Sequence, residues 1–337
     1  MQKKKIRLSD IAEQLNVSIV TVSKALTNKD GVGESLRKQI KDLAEMMGYK
    51  TKKTSGQDKS KITGNIGIII PSRYFKNNNS YYWYLFNHLS TELLHNNFYS
   101  IMELIEDNDE KNCTLPRMIQ DNKIDGLIIL GQVQNDYVQT IHSHFDNFIL
   151  LDFYTDNPAL DSVTIDNFYC SYLITKTAIQ NGHKNLCFVG NYKATTSIRD
   201  RYMGFLKALL EEGIKTGSSD VLMDRKDFSA EIEIKLPENI KLPSVYICNC
   251  DETAAQLIAL LKSRGIKVPE DVSVTGFDNY VANPKDSVPL TTVSIKPEDI
   301  AVITSDLIIK KISGEPCIKG HHIVSGTIIE RDSLRRI

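Results

Sequence analysis

Several features are missing from this chain of 337 residues, and each absence removes a class of protein. No apolar run approaches the roughly 18 residues that a membrane helix needs, and no hydrophobic stretch follows the lysines of MQKKKIRLSD. Neither an anchor nor a signal peptide is expected, and the cytoplasm is the expected location. Cysteine is sparse: Cys113, Cys170, Cys187, Cys248, Cys250 and Cys317 follow no repeating frame, which suits reduced thiols better than disulfides. Cys248 and Cys250 form C-x-C without a second pair, and His142, His144, His321 and His322 have no acidic or cysteine cluster beside them, so no metal and no cofactor is implied. There is no P-loop, no G-x-S-x-G and no H-E-x-x-H, and the histidines pair with no placed Ser or Cys. That silence favours a binding protein over an enzyme.

A surplus of charge is missing as well, because the net value is −1, yet the distribution is uneven. Residues 1–61 carry fourteen Lys plus Arg against seven Asp plus Glu, leaving 27 against 35 for the remainder. A basic module on an acidic body gains phosphate affinity locally while the body avoids DNA.

Within that basic end, IRLSDIAEQLNVSIVTVSKALT has the spacing of a helix-turn-helix. Leu8, Ile11, Ala12 and Leu15 make one apolar face, and Ser9 is placed to cap its start. Asn16 tolerates left-handed geometry at the bend, and Ser18 can cap a second helix. In that helix Val22, Ala25 and Leu26 pack inward, which turns Val20, Ser23, Lys24 and Thr27 outward. Leu36, Ile40, Leu43 and Met47 stripe a third helix that Gly48 ends. We take 1–50 as a DNA-binding domain and 51–64, rich in Lys, Ser and Thr, as a linker.

From residue 65 to 337 strands alternate with helices, which predicts parallel sheets with helices on both faces. The fold class is therefore α/β: a small all-α helix-turn-helix domain followed by a two-lobed core of doubly wound parallel sheets. Ligands bind such sheets at the strand carboxyl ends, in the cleft between lobes. Ser72, Arg73 and Phe75 follow the first strand, Asp152 follows the fourth, Asp278 ends GFDN, Arg201 opens a helix and Asp251 begins another. Each alone reads as a cap or salt-bridge partner; together they outline a polar cleft. Tyr81, Tyr82, Trp83, Tyr84 and Phe86 lie nearby, where aromatics can stack on a sugar face, although most such residues on one helix serve packing. The segment DFSAEIEIKLPENIKL, residues 227–242, alternates with period two and contains Pro237, leaving a degraded helix and an added edge strand both open.

These residues resemble the LacI/GalR family of bacterial transcription regulators over nearly the whole length. LSDIAEQLNVSIVTVSKALT, GYK and NIGIIIP are similar to its helix-turn-helix, the boundary behind it and its first core strand, and RDRYMGF, VPEDVSVTGFDNY and PLTTVSIKPEDIA to its second-lobe and crossover signatures. The resemblance implies a homodimer reading a pseudo-palindromic double-stranded operator. It also implies a periplasmic-binding-protein-like core for a small effector, often a sugar, with an N-lobe at about 65–162 and 296–320 and a C-lobe at about 163–295 and 321–337. Carried over residue by residue, Ile19, Val20 and Lys24 face bases, with Ser18, Thr21, Ser23, Thr27 and Tyr49 nearer phosphates or groove walls. Asp152, Arg201 and Asp278 match positions that hold effector hydroxyls, and Asp251 matches the acidic half of an Asn-Asp pair whose Asn is replaced by Cys250.

The linker departs from the family. Asp58 stands where a leucine wedge is usual, and Ser55 and Gly56 replace the usual alanine and arginine. A carboxylate cannot offset the unstacking of a base step, and Gly56 weakens a helix, so no hinge helix and little operator bending are expected. The leading expectation is an effector-controlled regulator, most simply a repressor. A transport-type solute-binding protein and a cytoplasmic α/β enzyme are the rival classes, the first opposed by the basic N-terminal module and the second favoured by nothing in the sequence.

Overall fold

The computed structural model describes residues 8–15, 17–26, 31–47, 62–75, 80–215, 217, 221–237, 241–280 and 288–337. The chain divides into two compact units, residues 1–61 and 62–337. Thr27, Tyr49, Ser55, Gly56 and Asp58, the side chain of Val20, and with them the expected lack of a hinge helix, lie outside the described residues.

The first unit consists of α1 (Leu8–Gln14), α2 (Ile19–Leu26) and α3 (Glu34–Met46). Its core is the set that helical periodicity selects: Ile11, Ala12, Val22, Ala25, Ile40 and Ala44 are buried, with Leu15, Leu36 and Leu43 packed against them. The Ser18 Oγ accepts the backbone N–H of Thr21 at 3.0 Å, a helix N-cap directly before α2.

The second unit begins with β1 (Asn65–Pro71), a 3-10 turn (Ser72–Tyr74), α4 (Tyr81–His95), β2 (Tyr99–Ile105), α5 (Asp107–Lys111), α6 (Arg117–Gln120), β3 (Gly126–Leu130), α7 (Asn135–His142), β4 (Phe148–Leu151) and β5 (Ser162–Ile165). It continues through α8 (Asn167–Gln180), β6 (Leu186–Val189), α9 (Thr196–Glu211), β7 (Val221–Leu222), β8 (Val245–Cys248), α10 (Asp251–Ser263), β9 (Ser273–Thr275), β10 (Thr292–Ser294), α11 (Pro297–Ser313), β11 (His321–Val324) and β12 (Thr327–Ile329).

These strands form a six-stranded sheet ordered β11-β5-β4-β3-β1-β2, a four-stranded sheet ordered β7-β6-β8-β9 and a two-stranded pair, β10 with β12. Both larger sheets are parallel throughout. Ile66, Ile68, Ile69 and Ile70 on β1 and Leu127 to Leu130 on β3 are buried, the near-continuous apolar runs expected of central strands covered on both faces. The edge strand β2 is only partly covered.

Pairing moves the crossing points between lobes. The expected N-lobe stopped at about 162 and the C-lobe took 321–337, but Ser162–Ile165 and His321–Val324 pair with each other at the edge of the first sheet. The chain thus leaves the first lobe only after β5, and β11 returns to it, because parallel pairing selects the strand. The last two strands, β11 and β12, take separate partners, β5 and β10. Between β2 and β3 the chain makes two short helices, α5 and α6, and no continuous one, since Pro116 caps the second and lacks the donor that a continuous helix would need. Residues 227–237 form neither helix nor strand: Leu236 is buried and Ile234 packs on the core of the second sheet, while the Glu233 N–H donates to the Asp224 carbonyl at 2.6 Å.

Candidate functional site

The carboxyl ends of the two parallel sheets border one cavity of about 410 Å³ in the second unit. From the first lobe come Arg73 and Tyr74 after β1, Tyr81 and Tyr82 at the start of α4, and Asp152 after β4. From the second come Ser197 and Arg201 on α9, Arg225 after β7, Cys250 and Asp251 at the start of α10, and Asp278 after β9. Direct bonds join the lobes here: the Thr196 N–H donates to the Gln132 Oε1 at 2.7 Å, the Ser197 hydroxyl to the Asp152 carbonyl at 2.9 Å and the Tyr154 hydroxyl to the Asp200 Oδ1 at 2.9 Å.

Asp152 and Asp278 both stand at positive φ, 68° and 98°, a backbone region that side chains other than glycine seldom adopt. The turns that leave β4 and β9 impose it, and they bring the two carboxylates to the cavity from opposite lobes. The Tyr82 hydroxyl donates to the Asp152 Oδ2 at 2.8 Å, whereas the Asp152 Oδ1 is shielded from solvent and has no hydrogen-bond partner. Burial pushes the Asp152 carboxyl up to about 6 despite the nearby Arg201.

Arg201 is 6% exposed and held on every side. Its Nε donates to the Asn167 Oδ1 at 2.7 Å, its Nη1 to the Asn249 carbonyl at 2.5 Å and its Nη2 to the Asp278 Oδ1 at 3.1 Å. The guanidinium also lies 3.7 Å from the Phe277 ring centre. Burial raises the Asp278 carboxyl and Arg201 opposes that rise.

Asp251 begins α10 and ties down the loops beside it. Its Oδ1 accepts from the Thr292 hydroxyl at 2.6 Å and its Oδ2 from the Tyr280 N–H at 3.1 Å. Burial lifts this carboxyl to about 7. Cys250 is the N-cap of α10, its Sγ accepting the Thr253 N–H at 3.4 Å, so in its place here the thiol does the capping work of a polar side chain.

Two expected residues lie elsewhere: Ser72 donates to the Glu106 Oε2 at 2.8 Å, and the Phe75 ring meets the edge of Trp83 at 5.4 Å. Arg73 reaches the cavity but is bound to Glu110 at 2.5 Å, to Asp107 at 3.1 Å and to the Gln132 carbonyl at 2.7 Å. Of the aromatic cluster, Tyr81 and Tyr82 line the cavity, while Trp83 stacks on Phe86.

Sequence reasoning missed the network behind the second-lobe wall. Asp224 is fully buried and accepts from Arg225 at 2.7 Å, the Asn249 amide at 2.7 Å, the Thr253 hydroxyl at 2.8 Å and the Asn191 N–H at 2.9 Å. Burial would raise this carboxyl, but the Arg225 charge and these donors hold it below the ordinary value. Asp224-Arg225 directly behind VLM was the available signal, a charged pair following a short apolar run.

In the first unit Ile19 is 52% exposed, and Ser18 and Lys24 are exposed on the same short helix start and outer face; Thr21 and Ser23 are half-buried. Among the described residues no helix is long and apolar enough to cross a membrane.

A three-helix unit with an exposed second helix, joined to two parallel sheets around a polar cavity, is the build of a ligand-responsive DNA-binding protein. Residues 7–52 match the model of bacterial regulatory proteins of the lacI family, and residues 175–334 match that of a periplasmic binding protein-like domain. The HTH-type transcriptional regulator RegA of Clostridium saccharobutylicum is 30% identical, over 97% of this chain and 98% of its own. The structure of the transcriptional regulator CelR-cellobiose complex aligns with a TM-score of 0.68 at 17% identity, covering 97% of this chain and 99% of that one. The lac repressor dimer bound to operator and the anti-inducer ONPF aligns at 0.66 and 18%, covering 98% and 100%. The two structures show the shared fold. This chain belongs to the LacI family of bacterial regulatory proteins. It is a DNA-binding transcriptional regulator, its relatives are regulators and not enzymes, and the solute-transport reading falls away.

Proposed function

We propose that this regulator is a cytoplasmic repressor, that it works as a homodimer on a pseudo-palindromic operator, and that a carbohydrate in the 410 Å³ cavity controls its DNA affinity. The observation that carries the effector reading is the cavity itself. Carboxylates from both lobes, Asp152 and Asp278, converge there with Arg201 between them in charge, and Tyr81 and Tyr82 stand alongside. Paired acceptors and donors of this kind suit vicinal hydroxyls, and aromatic rings suit the apolar face of a sugar. The likeness to the CelR-cellobiose complex supports the carbohydrate, and the likeness to the lac repressor dimer on operator supports the dimer.

On the DNA side, Ile19, Val20 and Lys24 read base edges, with Lys24 donating to guanine acceptors and the two aliphatic side chains packing on thymine methyls. Ser18, Thr21, Ser23, Thr27 and Tyr49 hold phosphates or groove walls. With Asp58 at the wedge position, the linker contributes little bending, and specificity rests on α2.

Effector and operator must then be coupled reciprocally. A thermal-shift screen of sugars identifies a ligand, and calorimetry with and without operator measures the coupling. Equal effector affinity in both titrations would remove the allosteric reading.

A further inference from the structure

The ion pairs around the cavity restrict the charge of whatever fills it. Three arginines reach the walls, and each already holds a carboxylate: Arg73 with Glu110 at 2.5 Å, Arg201 with Asp278 at 3.1 Å and Arg225 with Asp224 at 2.7 Å. Setting those pairs aside leaves Asp152, Glu231, Asp251 and Glu252, and no lysine or histidine among the described lining residues balances them. Glu231 and Glu252 are exposed lining residues whose charge favours an incoming cation. Asp251 is satisfied by Thr292 and the Tyr280 N–H. Asp152 is different, because its Oδ1 is shielded from water and accepts from nothing.

We propose that the effector is a cationic carbohydrate, a sugar carrying a primary amine whose ammonium group sits against Asp152. The inference rests on the carbohydrate reading above and adds the charge. An ammonium brings three donors and one positive charge to a carboxylate with an unused oxygen. A hydroxyl of a neutral sugar supplies the bond without the charge. The Nε of Arg73 is a shielded donor without a partner, but the charge of that guanidinium is already met by Glu110 and Asp107, so an anionic sugar would have to share a cation with carboxylates that hold it.

The other groups facing Asp152 agree. Tyr74, Tyr81 and Tyr82 face it from the turn after β1 and from α4, Arg201 from α9 and Asp278 from the end of β9. Arg201 is the one cation among these, and it is engaged by Asp278. Burial already raises Asp152 to about 6, so an ionised Asp152 is held at a cost that an ammonium relieves.

The test uses the full chain and matched triplets: a hexose, its hexosamine and its phosphate in several configurations, and the neutral, diamino and acidic forms of a β-linked disaccharide. Each N-acetylated amine serves as a size control. Calorimetry should show the amine binding on the order of tenfold more tightly than its neutral parent, with the anion weakest and the advantage lost on acetylation. That advantage should shrink in high salt and as the pH falls through about 6. Asp152→Asn keeps a residue suited to the left-handed backbone, and it should remove the amine preference while binding of the neutral parent falls less. A flat or reversed charge order within a binding triplet overturns the charge inference alone. Failure of every sugar to bind overturns the carbohydrate reading and this inference with it.

Discussion

Removing the Asp224 side chain tests the account of the second-lobe wall most directly. Asp224→Ala strips acceptors from Arg225, Asn249, Thr253 and the Asn191 N–H together, all of which are buried or nearly so. Breaking a buried pair by removing one partner costs roughly 3–5 kcal/mol, because the other charge stays behind without compensation. That is a large part of the ~5–15 kcal/mol that holds a typical domain together. Urea unfolding followed by far-ultraviolet circular dichroism measures the loss. The sharper result is the second variant. If the cost comes from the stranded guanidinium, adding Arg225→Met should recover part of it, since an uncharged chain of similar length demands no partner. A loss below about 1 kcal/mol for Asp224→Ala, or a double variant less stable than Asp224→Ala alone, would refute the reasoning.

Four further outcomes follow from the same geometry. Gly204→Ala should destabilise the second unit by about 1–3 kcal/mol or more, because a Cβ there would lie 2.1 Å from the Phe168 carbonyl on α8; an unchanged melting temperature would contradict this close helix crossing. In the ligand-free protein Asp152 should contribute a loss of stability as the pH rises from 3.8 to about 6, since a carboxyl whose folded pKa is raised contributes most below its unfolded value; Asp152→Asn should remove that contribution, on the order of 3 kcal/mol, and a pH profile that the substitution leaves unchanged would count against it. Lys24→Ala should relax operator preference at one base by roughly 1 to 3 kcal/mol, and equal weakening on all sequences would make it a phosphate contact. A circular-permutation gel assay should find little central bending of the operator, and a sharp bend abolished by Asp58→Ala would sink the linker reading.

The parts of the fold that were legible in the sequence are those set by local pattern. NIGIIIP resembled a first core strand, and β1 is Asn65–Pro71, buried along nearly its whole length. Strand partnership was not legible, because one strand can pair with any neighbour that offers a matching ladder. Hence the segments that form β5 and β11 were placed on the wrong side of the crossing. Short elements such as α7 and β7 were missed for a related reason: β7 has two residues, too few for any periodicity to register.

The site divides along the same line. Asp152, Asp251 and Asp278 line the cavity and could be picked out because each follows a strand or begins a helix, which is local information; Arg201 does not open its helix as expected, since α9 begins at Thr196 and the arginine lies a turn and a half inside it. Ser72 and Phe75 met the same criterion and failed it, since the turn after β1 aims them at Glu106 and Trp83 instead. Arg225 was missed because its place depends on a segment without regular structure. Ala230, Glu231 and Ile232 line the cavity from that segment, which the Glu233 N–H and the buried Leu236 pin to the second sheet. A wall of this kind can change its charge and shape by substitution without disturbing a sheet ladder. It is therefore the part of the cavity where effector preference is most easily set, and the part for which a pattern of strands and helices carries the least information.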